Sequence, residues 1–158
     1  MSGTLLIHAT AVAIDTAAGP RAVLLRGPSG CGKSDLALRL IDAGGRLIAD
    51  DQSELRRQGQ TVVVRAPPAI AGLIEVRGVG IVRVEPLAAA QVGLIADLVP
   101  RETLGETIER LPNRAVERLL EVELPCIRVA PFEASAAAKV ALALRAFAGT
   151  GLPAIMEQ

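Results

Sequence analysis

The run Gly27-Pro28-Ser29-Gly30-Cys31-Gly32-Lys33-Ser34 is suited to holding phosphate. It fits G-x-x-x-x-G-K-S/T, the phosphate-binding loop. Glycines at 27, 30 and 32 let the backbone curl around phosphate oxygens without a Cβ in the way. Lys33 is placed to reach the outer phosphates, and the Ser34 hydroxyl to ligate Mg²⁺. Cys31 reads as a packing residue, since no partner base is adjacent to it. The pair Asp50-Asp51 follows the apolar run Leu47-Ile48-Ala49. A carboxylate at a strand end beside such a loop can hold Mg²⁺, directly or through water. It can also accept a proton from an incoming hydroxyl. Adjacent carboxylates on an extended chain point to opposite sides, so the two are expected to have different roles. Glu75 and Arg77 flank Val76 and would share one face of a strand. They are either a surface ion pair or a metal-binding carboxylate beside a phosphate-binding guanidinium. Gly78 and Gly80 beyond them suggest close backbone approach. His8 is the only histidine. In an apolar strand a lone histidine is more often structural than catalytic.

Elements of the right kind stand on either side of the loop. The segment 21–26 predicts a short buried strand running into it. The segment 34–43 predicts an amphipathic helix leaving it, with Gly44-Gly45 as the stop. A strand, a glycine turn and a helix N-terminus together make an anion site, because the free N–H groups and the helix dipole both favour negative charge. Upstream, 5–14 reads as a strand pair or one long bent strand, followed by a turn over 15–20. Downstream, 46–49 is a strand and 54–60 a polar stretch carrying a turn. The β-branched run 61–65 reads as the return half of a hairpin. Strand-like segments follow over 75–84, 92–98, 114–125 and 127–129. The charged stretch 101–113 predicts a surface loop or lid. The Ala-rich 135–148 predicts a second helix, and 149–158 a tail. Strands outnumber helices, which argues against a regular alternating nucleotide-kinase fold.

The chain has 158 residues, enough for one domain with a core of its own. It has no Trp, no Tyr and two Phe, so that core must be built from Ala, Val, Leu and Ile. Aromatic platforms for single-stranded nucleic acid are lacking. The net charge of +0 gives no electrostatic footprint for DNA or RNA. Two widely separated cysteines, one inside the loop, do not suggest a disulfide framework. No apolar run is long enough for a membrane span, and the N-terminus lacks the basic start of a signal peptide. A soluble cytoplasmic protein is expected.

Taken together, His8, the loop 27–34, Arg46-Leu47-Ile48-Ala49-Asp50-Asp51 and Glu75-Val76-Arg77-Gly78-Val79-Gly80-Ile81 resemble the catalytic domain of HPr kinase/phosphorylase. The glutamate-x-arginine-glycine-x-glycine-isoleucine run is the specific part. The likeness spans roughly 5–148 and looks like the short alphaproteobacterial form without the N-terminal domain. ATP-dependent phosphoenolpyruvate carboxykinase is a more distant likeness. The resemblance implies an α/β phosphate-loop fold of that type, with a mixed sheet and few helices, as a single catalytic domain over 1–158. It implies an ATP- and Mg²⁺-dependent protein serine kinase acting on HPr or a nitrogen-type HPr phosphocarrier, and phosphorolysis of the phosphoserine in reverse. A homo-oligomer, typically a hexamer, is implied as well. Residue by residue, it makes Lys33 the catalytic lysine and Ser34 and Glu75 Mg²⁺ ligands. Asp50 becomes the base, Asp51 its support or the metal's, and His8 and Arg77 active-site residues. The family's late proline-glycine-arginine-asparagine stretch falls here on Ala130-Pro131-Phe132-Glu133-Ala134, which has no arginine. Losing that cation removes charge stabilisation from the transferring phosphoryl group. An ATP-sensing regulator with weak or no activity is therefore a second reading, and a small-molecule kinase a third.

Overall fold

The computed structural model describes residues 3–100, 102, 108–149 and 151–156. Its framework is a curled mixed sheet in the order β1-β5-β6-β9-β3-β2-β4, with β11 also paired to β9 and β10 to β11. The strands are β1 Thr4–Ile7, β2 Ala9–Thr16, β3 Gly19–Arg26, β4 Arg46–Ala49, β5 Ser53–Gln58, β6 Thr61–Arg65, β9 Ala89–Leu98, β10 Ala115–Leu119 and β11 Val122–Val129. A separate hairpin pairs β7 Leu73–Val76 with β8 Gly80–Arg83. Helix α1 is Lys33–Asp42 and helix α2 is Ala136–Ala148.

Alternation along the strands divides the core in two. On β2 and β3, Val12, Ile14, Val23 and Leu25 face a layer made with Leu36 and Leu40 of α1 and Val140 and Leu144 of α2. Ala9, Ala11, Ala13, Ala22 and Leu24 face the other way, against Leu55, Val62, Val64 and Leu124. Small side chains on that second face let the sheet curl over itself, which is why an interior nearly free of aromatics can close-pack.

Strand direction positions the site. β3, β9 and β11 run parallel, and β4 is antiparallel to β2, which is itself antiparallel to β3. The C-terminal ends of β3, β4, β9 and β11 therefore open on one side, where ligands lie in open α/β sheets. β3 leads there into the phosphate loop, β4 into Asp50-Asp51, and β11 into Pro131-Phe132. The N-terminal end of β2 brings His8 to the same side.

Several expectations need adjusting. The stretch 54–60 is a strand up to Gln58, because Ser53 and Leu55 are buried while its charges alternate outward. The turn expected over 15–20 shrinks to two residues between Thr16 and Gly19, which pair directly. The segments 114–125 and 127–129 form one hairpin, β10–β11. Its turn is Leu120-Glu121, both at positive φ (50° and 65°), so it lacks the Asn or Gly that marks such a turn. Of the charged stretch 101–113, residues 101 and 103–107 lie outside the described residues, and 108–113 are irregular.

Candidate active site

The loop leaves β3 at Arg26 and returns as the first turn of α1. Gly27, Gly30 and Gly32 all have positive φ (157°, 80° and 103°), which explains the glycines. Cys31 packs within 2.5 Å of where a Gly27 Cβ would stand, so it fills the loop's underside. Lys33 is buried, at 5% exposure. Its Nζ donates to the Gly27 and Pro28 carbonyls at 2.7 and 3.2 Å and lies 3.9 Å from Asp51 Oδ1. The ammonium thus spans the loop it belongs to.

The two neighbouring aspartates diverge, as expected, though by a sharper turn than an extended strand would give. Asp51 is at φ 66°. Asp50 points toward the loop. Its Oδ1 accepts from the Ser34 hydroxyl at 2.7 Å and from Thr10 at 3.2 Å, and its Oδ2 accepts from the Glu75 N–H at 2.9 Å. Asp51 points to open space, with its side chain 58% exposed, and its Oδ1 meets His8 Nε2 at 2.5 Å. Thr10 holds both in place. It is fully buried, and its oxygen accepts from the Asp51 N–H at 2.9 Å while its proton goes to Asp50. No motif singles out Thr10. The one hint is a hydroxyl inside an otherwise Ala- and Val-rich strand.

A cleft of about 680 Å³ joins these groups. It is lined by the loop, by Asp50 and Asp51, by Glu75 to Ile81 on the β7–β8 hairpin, and by Phe132. Glu75 lies on β7, but Arg77 sits in the turn rather than on the strand. Val79 N–H bonds back to Val76 C=O at 2.9 Å, so Glu75 and Arg77 do not share a strand face. Lys33 and Arg77 are the cations lining the cleft among the described residues. His8 does not line it, and reaches it through Asp51.

The oxygen donors here suit a hard cation. Ser34, Asp50 and Glu75 bring a hydroxyl and two carboxylates to the cleft lining. Among the described residues the cleft holds no group of three or more His, Cys, Asp or Glu ligand atoms within 4.8 Å of one another, so phosphate and water would have to complete a shell there. This set fits Mg²⁺, which takes one or two protein oxygens and completes its shell with phosphate and water.

A model of the HPr serine kinase C-terminal domain matches residues 4–146. The chain belongs to this family. Among curated relatives, HPr kinase/phosphorylase of Lacticaseibacillus casei (strain BL23) is 40% identical over 116 residues, 68% of this chain and 36% of that protein. The protein of the same name from Leptothrix cholodnii is 41% identical over 98 residues, 57% of this chain and 30% of its own. The chain thus spans about a third of the length of the curated relatives it matches. A solved structure, the Hpr(Ser) kinase/phosphatase from Coxiella burnetii, superposes with a TM-score of 0.70 at 28% identity, covering 82% of each chain. The mixed sheet with few helices is therefore the HPr kinase type of α/β fold.

The 130–134 turn, where the resemblance led to the expectation of an arginine, brings Phe132 to the cleft. Arg128 lines a different cavity, beyond β10 and β11. That cavity also borders an ion cluster missed in the sequence. Arg26, one residue before the loop, forks onto Asp97 at 2.8 and 3.0 Å and onto Glu117, with one arm at 2.6 Å. Asp97, Glu117 and Cys126 come close enough to suggest a metal site. The guanidinium already occupies both carboxylates, so the group is an ion-pair clamp joining β3, β9 and β10. Burial, the Asp97 charge and a hydrogen bond to Asp97 push the Cys126 thiol up to about 12.

Proposed function

We propose that this chain is an ATP- and Mg²⁺-dependent protein serine kinase acting on an HPr-type phosphocarrier. The observation that carries this reading is the pairing of a phosphate loop with two differently directed carboxylates. One is bonded to the loop serine, and the other is open beside Lys33. The phosphate loop holds the triphosphate through its N–H groups and Lys33. Ser34, Asp50 and Glu75 hold Mg²⁺, which when bound neutralises charge on the phosphates. Asp51 takes the acceptor proton. The serine oxygen bonds to the γ-phosphorus, the bond from that phosphorus to the β-phosphate oxygen breaks, the hydroxyl proton passes to Asp51, and ADP leaves. His8 orients Asp51, and Arg77 adds positive charge to the hairpin wall.

This exchanges the roles that the family resemblance gave the two aspartates. Asp50 already accepts three hydrogen bonds and faces the loop, which suits a metal-side carboxylate and not a base. Asp51 is exposed to an approaching hydroxyl. Phosphorolysis would use the same groups in reverse, with inorganic phosphate as the attacking group and Asp51 returning the proton. The setting we infer is cytoplasmic, with the enzyme a homo-oligomer. No helix of the described residues is long and apolar enough to cross a membrane.

The test is transfer from γ-labelled ATP to a purified HPr-type phosphocarrier with Mg²⁺. Acid-stable phosphoserine on the carrier supports the kinase. ATP binding without transfer would favour an ATP-sensing regulator, a reading encouraged by the missing late arginine. Label on a small metabolite and not on the carrier would favour a small-molecule kinase.

A further inference from the structure

Phe132 is one of two phenylalanines in a chain with no tryptophan or tyrosine, and it is half exposed. The other, Phe147, packs against the core beneath α2 and carries Arg114 on its ring at 5.3 Å. Phe132 instead lines the phosphate cleft beside Ser29, Gly30 and Gly32. Its ring carbons Cζ and Cε1 lie 3.3 and 3.4 Å from where a Gly32 Cβ would stand, so the ring rests against the loop itself.

The backbone that carries the ring is also held in place. Arg39 of α1 donates to the Pro131 carbonyl and, at 3.1 Å, to the Glu133 carbonyl, bracketing Phe132 on both sides. Asp35 steadies Arg39 through Nε at 3.2 Å, and Pro131 beneath is buried. The helix that presents Lys33 and Ser34 therefore also fixes the turn that carries the aromatic. Such preorganisation removes most of the ordering cost of a contact made there. The turn leaves the C-terminal end of β11, in the same parallel group as β3. It thus flanks the phosphate site at the strand ends where ligands lie in open α/β sheets.

We propose that Phe132 is the stacking wall for the base of a nucleoside triphosphate whose phosphates occupy the loop. The proposal rests on the nucleotide reading of the cleft and extends it from the phosphates to the base. Every base has a π-face, and an aromatic side chain beside it contributes affinity that inorganic phosphates cannot gain.

Comparing Mg-ATP with Mg-tripolyphosphate separates the two claims. Phe132→Ala is expected to weaken ATP binding roughly tenfold, and tripolyphosphate binding by less than about twofold. Phe132→Leu, which keeps apolar bulk without a π-face, should behave like the alanine variant. Phe132→Trp introduces the chain's one indole, and its fluorescence should respond to ATP and not to tripolyphosphate. Equal weakening of both ligands, or ATP affinity unchanged in the alanine variant, would overturn the base subsite. If the unaltered protein binds neither ligand, the nucleotide reading of the cleft itself falls, and the subsite with it.

Discussion

Thr10 shows how much of the site depends on one hydroxyl. It is buried, and it links the backbone of Asp51 to the carboxylate of Asp50. Thr10→Val keeps the shape but leaves the Asp51 N–H without its acceptor. That should cost about 1–3 kcal/mol in denaturant unfolding and also lower turnover, while Thr10→Ser restores both. A valine variant as stable and active as the parent would show that the hydroxyl positions nothing. The loop was legible from sequence because its chemistry is local: eight consecutive residues make the whole anion cradle. Thr10 acts through space on residues some forty positions away, and no spacing rule points to it. The same holds for the aspartates. The pair could be found, and its divergence expected, but which one faces Ser34 depends on the left-handed turn at Asp51.

At the scale of elements, α1 ends in a Schellman motif. Gly44 N–H bonds to Ile41 C=O at 3.0 Å and Gly45 N–H to Leu40 C=O at 2.9 Å. The two glycines are needed for different reasons. Gly44 sits at φ 109° with open space around it, so Gly44→Ala should cost about 1 kcal/mol from the backbone alone. A Cβ on Gly45 would stand 2.9 Å from Leu40 O and 3.0 Å from Val12 Cγ1, so Gly45→Ala must push α1 off β2. That variant should lose more, about 1–3 kcal/mol, and equal losses by thermal melts would refute the distinction. Gly44-Gly45 could be read as a helix stop because glycine is the usual residue there. The β10–β11 turn could not, because Leu120 and Glu121 adopt positive φ without the residues that advertise it. Strand β5 was hidden by its charges, since Glu54, Arg56 and Arg57 mask a face that buries only Ser53 and Leu55.

Across the whole molecule, parallel strand ends gather the site, and the Arg26 clamp ties two of those strands, β3 and β9, to β10 below it. The clamp has a pH signature. Cys126 keeps its proton up to about 12 when folded, against 9.0 for the free thiol. Its contribution to stability is therefore complete below pH 9 and is lost as pH rises from about 9 toward about 12. At pH 8.5, peptide mapping should find Cys126 alkylated at least about tenfold more slowly in the folded chain than in the unfolded one. Labelling at the unfolded rate would mean the clamp is open. The sheet's curl and strand order were not legible, because strand pairing is non-local. The balance of strands over helices was, because it follows from residue patterning alone.

The most direct test of the account measures Mg-ATP affinity and phosphoryl transfer to the phosphocarrier in Asp51→Asn and Asp50→Asn side by side. Asp51→Asn should lower turnover by about 10²–10⁴ while ATP affinity stays within a few fold. Asp50→Asn should weaken Mg²⁺-dependent ATP binding as well as transfer. Transfer that survives in Asp51→Asn, or ATP affinity that holds in Asp50→Asn, would contradict the division of labour between the two carboxylates.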